Sequence, residues 1–310
     1  MPHMLPLILR RLGEGLLVLV LVHAATFAAL RLMPGDPLAD AAGDRALPTA
    51  TLERLRHLYG HDQPVLTQYV SDLRAKLSGD LGTSIKIARG VSVAQLLGAA
   101  IPVSFALGCG ALAFGLGLGI WAGVTAARRA RSRIDHGLRA LATLGISLPD
   151  FVVAPFLLLV FSLWLGWLPA GGTGSLTALA LPVLVLGIPL AASIARLTRT
   201  SLLEELRLDF VRTARAKGAD DGRIVFDHAL RPALGPVLAY IGQAAAAVLT
   251  GAMVVEQLFA IPGLGYYFVA GAVSQDWPLV SAAALVYAVM LVLFNLAADL
   301  ALARLDPRTR

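Results

Sequence analysis

Six long apolar runs constrain this chain more than any other feature of its sequence. They lie at about 10–32, 101–127, 138–165, 176–196, 233–256 and 279–303. A helix crosses the hydrocarbon core of a bilayer with about 20 predominantly apolar residues, and every run reaches that length. Of the 310 residues 15% are charged, whereas about a quarter of a soluble domain is charged. The sequence therefore predicts an all-α membrane protein with six transmembrane helices.

The first run has one alternative interpretation, a cleaved signal peptide. Arg10 and Arg11 precede it, and the small residues Ala24 and Ala25 follow its apolar centre. The apolar stretch from Leu12 to Leu30 is longer than the apolar part of a signal peptide, which has about 7–15 residues. We therefore expect an uncleaved transmembrane helix.

The distribution of basic residues predicts the orientation of the runs. With the N-terminus in the cytoplasm, 18 of the 26 Lys and Arg residues lie inside and 8 outside. The two short outer loops, 166–175 and 257–278, contain none, and short loops follow the positive-inside rule best. Both termini are predicted to be cytoplasmic. The net charge of +6 then follows from membrane topology and does not indicate nucleic-acid binding.

The sequence divides into three parts. Residues 1–33 form the N-terminal cytoplasmic end and the first span, and residues 34–100 form a charge-balanced outer segment. In that segment, 51–59 has the periodicity of an amphipathic helix, and a second helix is predicted to begin at Pro64. Residues 101–310 form a core of five spans with a cytoplasmic loop at 197–231.

The chain lacks the residues for several kinds of chemistry. None of its three lysines (Lys76, Lys86 and Lys217) stands in a Gly-Lys-Ser/Thr context, so it has no phosphate-binding loop of an ATPase. The single Cys109 excludes a disulfide framework, and the six histidines are scattered over both predicted sides of the membrane. We expect no catalytic residue, no metal site and no cofactor bound by this chain.

Glycine and proline residues interrupt the spans, and they allow two interpretations. Proline bends a helix, and a transporter that changes access benefits from bent helices. Small residues also allow close packing between membrane helices. The residues in question are Gly145, Pro149, Pro155, Pro182, Gly187, Pro189, Gly242 and Gly251.

The loop between the fourth and fifth runs is charged and patterned. Helical periodicity predicts that one apolar face is shared by Leu202, Leu203, Leu206, Phe210 and Ala214 and is resumed by Ile224, Val225, Phe226, Ala229 and Leu230. A helix is predicted to end at Gly218, and another to begin at Asp220 or Asp221 as its N-cap. Such a corner could lie on the membrane surface, but its many acidic residues favour a protein partner.

Two stretches of this loop resemble a known family. VRTARAKG (211–218), followed by HALRP (228–232), resembles the EAA loop of ATP-binding-cassette importer permeases, in the variant of the peptide/nickel branch. The general motif is Glu-Ala-Ala, three residues, Gly, nine residues, then Ile-x-Leu-Pro. Here Arg212 and Thr213 replace the first two residues, Ala214 and Gly218 match, and Pro232 comes one place late.

Three further stretches resemble the same branch, in the same order along the chain. They are RLMPGDP (31–37), GDLGTS (79–84), and VEQLFAIPGLG (255–265) with DWP (276–278). The resemblance covers essentially the whole chain. It implies the type I importer permease fold, in which this loop forms a coupling helix against the ATPase.

The resemblance also implies partners, a location and functional residues. The partners are a second homologous permease subunit, two cytoplasmic ATP-binding subunits that hold ATP and Mg²⁺, an extracytoplasmic substrate-binding protein and the lipid of a bacterial inner membrane. The candidate ATPase-coupling residues are Arg212, Thr213, Ala214, Arg215, Lys217 and Gly218. The candidate residues of a translocation path or gate are Asp150, Glu256, Pro262 and Gly263, although Asp150 and Glu256 lie near segment ends, where an interfacial role is equally open.

The cargo stays open between two classes. The absence of a His, Cys or Met cluster in the spans favours di- or oligopeptides over nickel or another metal chelate. A membrane scaffold without transport activity is the alternative of a different class.

Overall fold

The structure is a computed structural model, and it describes residues 4–33, 53, 63–172 and 174–305. The described residues contain one isolated β-bridge, between Thr83 and Ser92, and are otherwise helices and their connections. Apart from Glu53, the predicted helix at 51–59 lies outside the described residues, and so does the Pro-Gly-Asp-Pro stretch (34–37). The helix predicted to begin at Pro64 is confirmed, with Pro64 as its N-cap.

The described residues form a succession of α-helices. In chain order they are α1 (Met4–Leu32), α2 (Val65–Leu77), α3 (Val93–Arg128), α4 (Arg133–Ser147), α5 (Asp150–Leu157), α6 (Ala180–Glu205), α7 (Asp209–Ala216), α8 (Asp221–Arg223), α9 (Leu230–Ala233), α10 (Gly235–Leu258), α11 (Leu264–Ser274) and α12 (Trp277–Leu305). Two π-helices, Leu158–Trp164 and Ile224–Ala229, follow α5 and α8, and a 3₁₀ helix, Leu176–Leu179, precedes α6.

Five helices in the described part of the chain are by themselves long and apolar enough to cross a membrane. They are Ile8–Leu32, Val93–Arg128, Thr177–Glu205, Gly235–Leu258 and Trp277–Ala297. They correspond to five of the six predicted runs. The largest differences are at α6, which ends at Glu205, nine residues after the predicted end at 196, and at α3, which begins at Val93, eight residues before the predicted start at 101.

The remaining run, 138–165, is not the continuous helix that its hydropathy predicts. Arg133–Ser147 and Asp150–Trp164 are two helices that meet at an angle of 107°. The break falls at Leu148 and Pro149, which have extended backbone conformations. Proline has no N–H to continue a helix and disfavours helical geometry in the residue before it. The two pieces make the sixth span if they are counted as one broken helix.

The chain divides into two compact units. One consists of Met1–Val103 with Pro262–Leu293, and the other of Ser104–Ile261 with Phe294–Arg310. This division differs from the predicted boundaries at 33 and 100, because residues distant in the sequence join each unit.

Glycines in the second unit allow α3 and α6 to approach closely. A Cβ at Gly119 would come within 2.7 Å of Ile194 Cβ, and one at Gly123 within 2.7 Å of the Ala195 carbonyl oxygen. A Cβ at Gly115, one turn earlier on α3, would likewise come too close to the Leu190 side chain. The spacing of four residues places these glycines on one helix face, as in other tightly packed membrane helices. Gly187 and Gly145 also face neighbouring helices, so close packing accounts for several of these glycines.

Candidate functional site

The polar segment after α6 folds into a corner of short helices, which we call the corner segment (209–233). α6 ends at Glu205, and α7 runs from Asp209 to Ala216. The chain then turns at Lys217 and Gly218 and restarts as a helix with Asp220 as N-cap, whose carboxylate accepts a hydrogen bond from the backbone N–H of Arg223 (3.4 Å). The predicted helix end and the predicted N-cap are both confirmed.

Gly218 makes the turn possible because of its backbone conformation. Its φ is +87°, in the left-handed region that residues with a Cβ rarely adopt. The N–H of Gly218 donates to the carbonyl of Arg215, and that of Ala219 to the carbonyl of Ala214, as at a helix end closed by glycine. A Cβ at Gly218 would meet no heavy atom within 4 Å, so the requirement for glycine is conformational rather than steric.

The inner side of the corner segment is an apolar cluster. Its buried members are Val124, Ala127, Leu202, Val211, Ile224, Val225, Ala229 and Ala233. Leu203, Leu206, Ala214, Ala219 and Leu230 pack against them. The cluster fixes the corner to the ends of α3 and α6, so the short helices do not depend on their own marginal stability.

Two phenylalanines of the predicted apolar face do not belong to this cluster. The exposed fraction of Phe210 is 42% and that of Phe226 is 53%. Val211 occupies the inner position instead of Phe210, because the chain restarts as a separate helix at Asp209 and shifts the helical phase. The prediction that Phe210 and Phe226 share the apolar face with these residues was wrong.

The outer side of the corner segment carries charged groups. The side chain of Arg212 is 76% exposed and lies 3.3 Å from Asp209, and that of Arg215 is 62% exposed and lies 3.3 Å from Asp221. Lys217 and Thr213 are exposed as well, whereas Ala214 is half-buried against the cluster. The structure thus places five of the six predicted coupling residues on one exposed corner, with Ala214 beneath them. Their role in coupling stays a prediction.

The four candidate path or gate residues are less exposed. Asp150 is the first residue of α5 and is half-buried. Glu256 is completely buried near the end of α10 and accepts a hydrogen bond from the Ser104 hydroxyl (2.6 Å). Pro262 is half-buried, and Gly263 is buried as the N-cap of α11. Their assignment to a path or gate stays a prediction.

A buried carboxylate that the sequence interpretation did not single out organises part of the first unit. Asp276 is 0% exposed and accepts hydrogen bonds from the backbone N–H groups of Ile85, Lys86 and Ile87 (3.0–3.2 Å) and from the Ser84 hydroxyl (2.5 Å). We call this arrangement the Asp276 clasp. Ser84 and Asp276 each stand in a stretch that carries the family resemblance, but a separation of 192 residues gives no sequence signal that they pair.

A second polar pair, also missed, lies in the other unit. Asp135 is buried and receives two hydrogen bonds from Arg199, through Nε (2.6 Å) and Nη2 (2.8 Å), and one from the Arg131 backbone N–H (2.9 Å). Two parallel bonds between a guanidinium and a carboxylate fix both position and orientation. The pair therefore ties the beginning of α4 to the later part of α6.

No group of three or more His, Cys, Asp or Glu side chains that could hold a metal ion occurs in the described part of the chain. Together with the spans, these features define a multi-helix membrane protein with an exposed charged corner between two of its spans.

Comparison with known protein families agrees with the description as a multi-helix membrane protein. Residues 115–310 match the family described as binding-protein-dependent transport system inner membrane component, and residues 4–90 match the family of its N-terminal part. The chain therefore belongs to the family of inner membrane components of binding-protein-dependent transport systems.

Individual relatives match over their full length. The chain is 41% identical over 309 residues to the oligopeptide transport system permease protein OppB of Haemophilus influenzae. The match covers 99% of this chain and 100% of that protein. The OppB protein of Salmonella typhimurium gives the same values. The dipeptide transport system permease protein DppB of Lactococcus lactis is 37% identical over 307 residues, with 99% of this chain and 100% of that protein covered.

Solved structures share the fold. An inward-facing MetNI methionine ABC transporter matches with a TM-score of 0.58 at 18% identity, over 68% of this chain and 97% of that chain. An amino acid ABC transporter matches with a TM-score of 0.54 at 18% identity, over 68% of this chain and 94% of that chain. The predicted permease fold of ATP-binding-cassette importers is confirmed.

Proposed function

We propose that this chain is a transmembrane permease subunit of an ATP-driven, binding-protein-dependent importer of di- or oligopeptides. The observation that carries the proposal is the similarity over the full chain length to OppB and DppB proteins, which extends through all spans and the corner segment. Nickel or metal-chelate transport is not favoured, since these relatives are peptide permeases and no metal-ligand group occurs among the described residues.

The corner segment supports a particular way of coupling. It combines a rigid apolar base with exposed charges and a glycine-dependent turn, which suits a surface that a partner protein grips and moves. In the proposed mechanism, two cytoplasmic ATPase subunits bind ATP and Mg²⁺, close, and displace the corner segments of this chain and of a second permease subunit. This chain itself hydrolyses nothing and binds no cofactor.

The broken span and the closely packed spans support the second step of the proposed mechanism, which is the change of access across the membrane. The 107° break at Pro149 gives two rigid pieces that can reorient, while the glycine contacts keep α3 and α6 together as one body. Movement of the corner is passed to these helices and changes access from the extracytoplasmic binding protein to the cytoplasm. The proposed orientation places both termini and the corner segment in the cytoplasm, because the short loops 166–175 and 257–278 contain no Lys or Arg.

Reconstitution tests the proposal directly. The complex of this chain with its permease partner, ATPases and binding protein is placed in proteoliposomes, and ATP hydrolysis and uptake are measured with dipeptides, oligopeptides and nickel chelates. We expect peptide-loaded binding protein to stimulate hydrolysis and uptake. Stimulation by nickel chelates alone would assign the other cargo, and stimulation by neither ligand would leave a scaffold role.

A further inference from the structure

A large polar cavity lies in the first unit, beside the C-terminal end of α1. It has a volume of about 670 Å³, within the range of about 300–1,000 Å³ that is usual for small-molecule sites. Its described walls are the last turns of α1, one face of α2, the loop 80–85 and the first turns of α12. The cavity is therefore large enough for a small organic ligand.

Three of the stretches that carry the family resemblance meet in this cavity. The lining residues concerned are Arg31 from RLMPGDP, Asp80 to Thr83 from GDLGTS, and Trp277 and Pro278 from DWP. The Asp276 clasp ties the second of these stretches to the third. The coupling mechanism uses none of the three stretches, whereas the cavity brings all of them to one place.

The described wall of the cavity carries charges of both signs. Two lining side chains are basic and two are acidic, so their net charge is zero; they are Arg31, Lys76, Asp72 and Asp80. Lys76 and Asp72 form an ion pair with each other, one turn apart on α2. Arg31 and Asp80 form no ion pair with any described residue. The cavity thus offers one guanidinium and one carboxylate to a ligand.

Both of these groups keep hydrogen-bonding capacity. A guanidinium carries several N–H donors, and the described contacts of Arg31 use one of them, from Nη2 to the side-chain oxygen of Gln68. The guanidinium lies 4.8 Å from the centre of the Phe27 ring, a contact that holds it in place. Asp80 is exposed, and its Oδ1 accepts the N–H of Gly82 (3.0 Å), which leaves Oδ2 for a ligand among the described contacts.

The rest of the wall suits the main chain and a side chain of a small peptide. Ser281 lines the cavity, is 5% exposed, and its hydroxyl has no hydrogen-bond partner among the described residues. Buried hydroxyls in native proteins nearly always have such a partner, and a peptide group can supply one. Phe27, Leu30 and Trp277 add apolar surface to the same wall.

We propose that this cavity binds a short peptide by its two charged ends, with Arg31 as the partner of the C-terminal carboxylate and Asp80 as the partner of the N-terminal ammonium group. A singly charged ion satisfies one of these residues, whereas a dipeptide with free termini carries both charges on one molecule. The cargo class and the extracytoplasmic side rest on the proposed function and its orientation. The cavity then receives a peptide that leaves the binding protein, before the spans change access.

Equilibrium binding of defined peptides tests the site without transport. The complex of this chain, its permease partner and the ATPases is placed in nanodiscs without binding protein or ATP, and binding of radiolabelled Ala-Ala is measured. N-acetyl-Ala-Ala lacks the ammonium group and Ala-Ala amide lacks the carboxylate, so each should bind about tenfold more weakly or worse. Equal binding of all three peptides would overturn the proposal, as would a lack of saturable Ala-Ala binding.

Two variants assign the two ends of the peptide. Asp80→Asn keeps an oxygen for the Gly82 N–H but removes the charge, so it should bind Ala-Ala about tenfold more weakly and lose the preference over N-acetyl-Ala-Ala. Arg31→Gln should weaken Ala-Ala similarly and lose the preference over Ala-Ala amide. A loss of affinity that leaves the matching preference intact is an indirect effect, and it would overturn the assignment of that residue.

Arg74→Gln is the matched control for Arg31→Gln. It removes an exposed arginine of α2 that is not among the described residues of the cavity wall, and it should bind Ala-Ala as the wild type does. Thermal midpoints measured without peptide show whether each variant keeps its fold. Wild-type affinity in a folded Asp80→Asn variant contradicts the proposal, whatever the outcome for Arg31→Gln.

A second readout separates this inference from the proposed function. Peptide uptake and peptide-stimulated ATP hydrolysis are measured in proteoliposomes with the binding protein present. Uptake without direct binding of Ala-Ala to the nanodisc complex would overturn the cavity assignment and leave the proposed function standing. Direct binding that is accompanied by neither uptake nor stimulated hydrolysis would contradict the proposed function instead.

Discussion

The corner segment and the Asp276 clasp use charged side chains in opposite ways. In the corner, Asp209 and Arg212 are 93% and 76% exposed and form an ion pair at 3.3 Å. In the clasp, Asp276 is completely buried and accepts hydrogen bonds from three backbone N–H groups and one hydroxyl. Both segments also resemble the same permease family in their sequence.

The two regions therefore differ in how much each carboxylate contributes to the stability of the fold. Exposed ion pairs contribute little, because water and salt screen them and the side chains lose freedom when they pair. A buried carboxylate that accepts several hydrogen bonds is costly to remove, since each donor loses this acceptor. We therefore expect the clasp to serve stability and propose that the corner charges serve partner contact. Three experiments test this contrast, and a fourth tests the close packing of α3 and α6.

The largest loss of stability is expected from Asp276→Ala. Removal of this carboxylate leaves the backbone donors of Ile85, Lys86 and Ile87 without their acceptor, at a cost of about 3 kcal/mol or more in the free energy of unfolding. The measurement is the thermal midpoint in detergent, read by size-exclusion chromatography. As a control, Asp80→Ala removes an exposed carboxylate that accepts a single hydrogen bond among the described residues, from the N–H of Gly82, and it should change the midpoint little. Equal midpoints for the two variants would contradict the assignment.

A smaller loss of stability is expected from Gly119→Ala, at the point where α3 and α6 approach closely. In Gly119→Ala the new methyl group meets Ile194 and the Ala191 carbonyl oxygen at 2.7–2.8 Å, and overpacking of this kind costs about 1–3 kcal/mol. Gly117→Ala is the matched control, because a Cβ there meets no heavy atom within 4 Å. Thermal midpoints of the two variants in detergent should differ clearly. A stable Gly119 variant would show that α3 and α6 can move apart without cost.

The third variant separates stability from coupling at the corner. Gly218→Val forces a β-branched residue into the left-handed region, at a cost of about 1–2 kcal/mol to the turn. We expect the protein to insert in the membrane but peptide uptake to fall about fivefold to thirtyfold, as the productive turn becomes less populated. Gly218→Asn is the control, since asparagine tolerates this conformation better, and it should retain most of the uptake. Normal uptake by the valine variant would contradict the coupling role.

The smallest effect on stability is expected from Arg212→Gln. The side chain is 76% exposed and its ion pair is screened, so the thermal midpoint should stay within experimental error of the wild type. If Arg212 contacts an ATPase subunit, peptide-stimulated ATP hydrolysis should fall, and the deficit relative to the wild type should be largest at low salt and shrink as the salt concentration rises. Arg207→Gln is a matched control on the loop before α7. Unchanged hydrolysis in Arg212→Gln, or an equal loss in both variants, would remove Arg212 from the coupling residues.

The local features of the corner segment were predictable because short-range physics determines them. Only glycine adopts a φ of +87° without strain, and an aspartate three residues before a free N–H caps a helix. The inward face was predicted less well. A continuous helical phase placed Phe210 inside, but the new helix that starts at Asp209 buries Val211 instead.

The sequence by itself determined the number and position of the apolar runs, the turn at Gly218 and the family, since these depend on hydropathy, backbone preference and residue order. The tertiary structure alone decided which distant polar groups meet. Asp276 joins Ser84 across 192 residues, and Asp135 joins Arg199 across 64. The physical reason is that a buried charge needs partners from whichever segment packs beside it, and that segment is selected by the fold as a whole rather than by neighbouring residues.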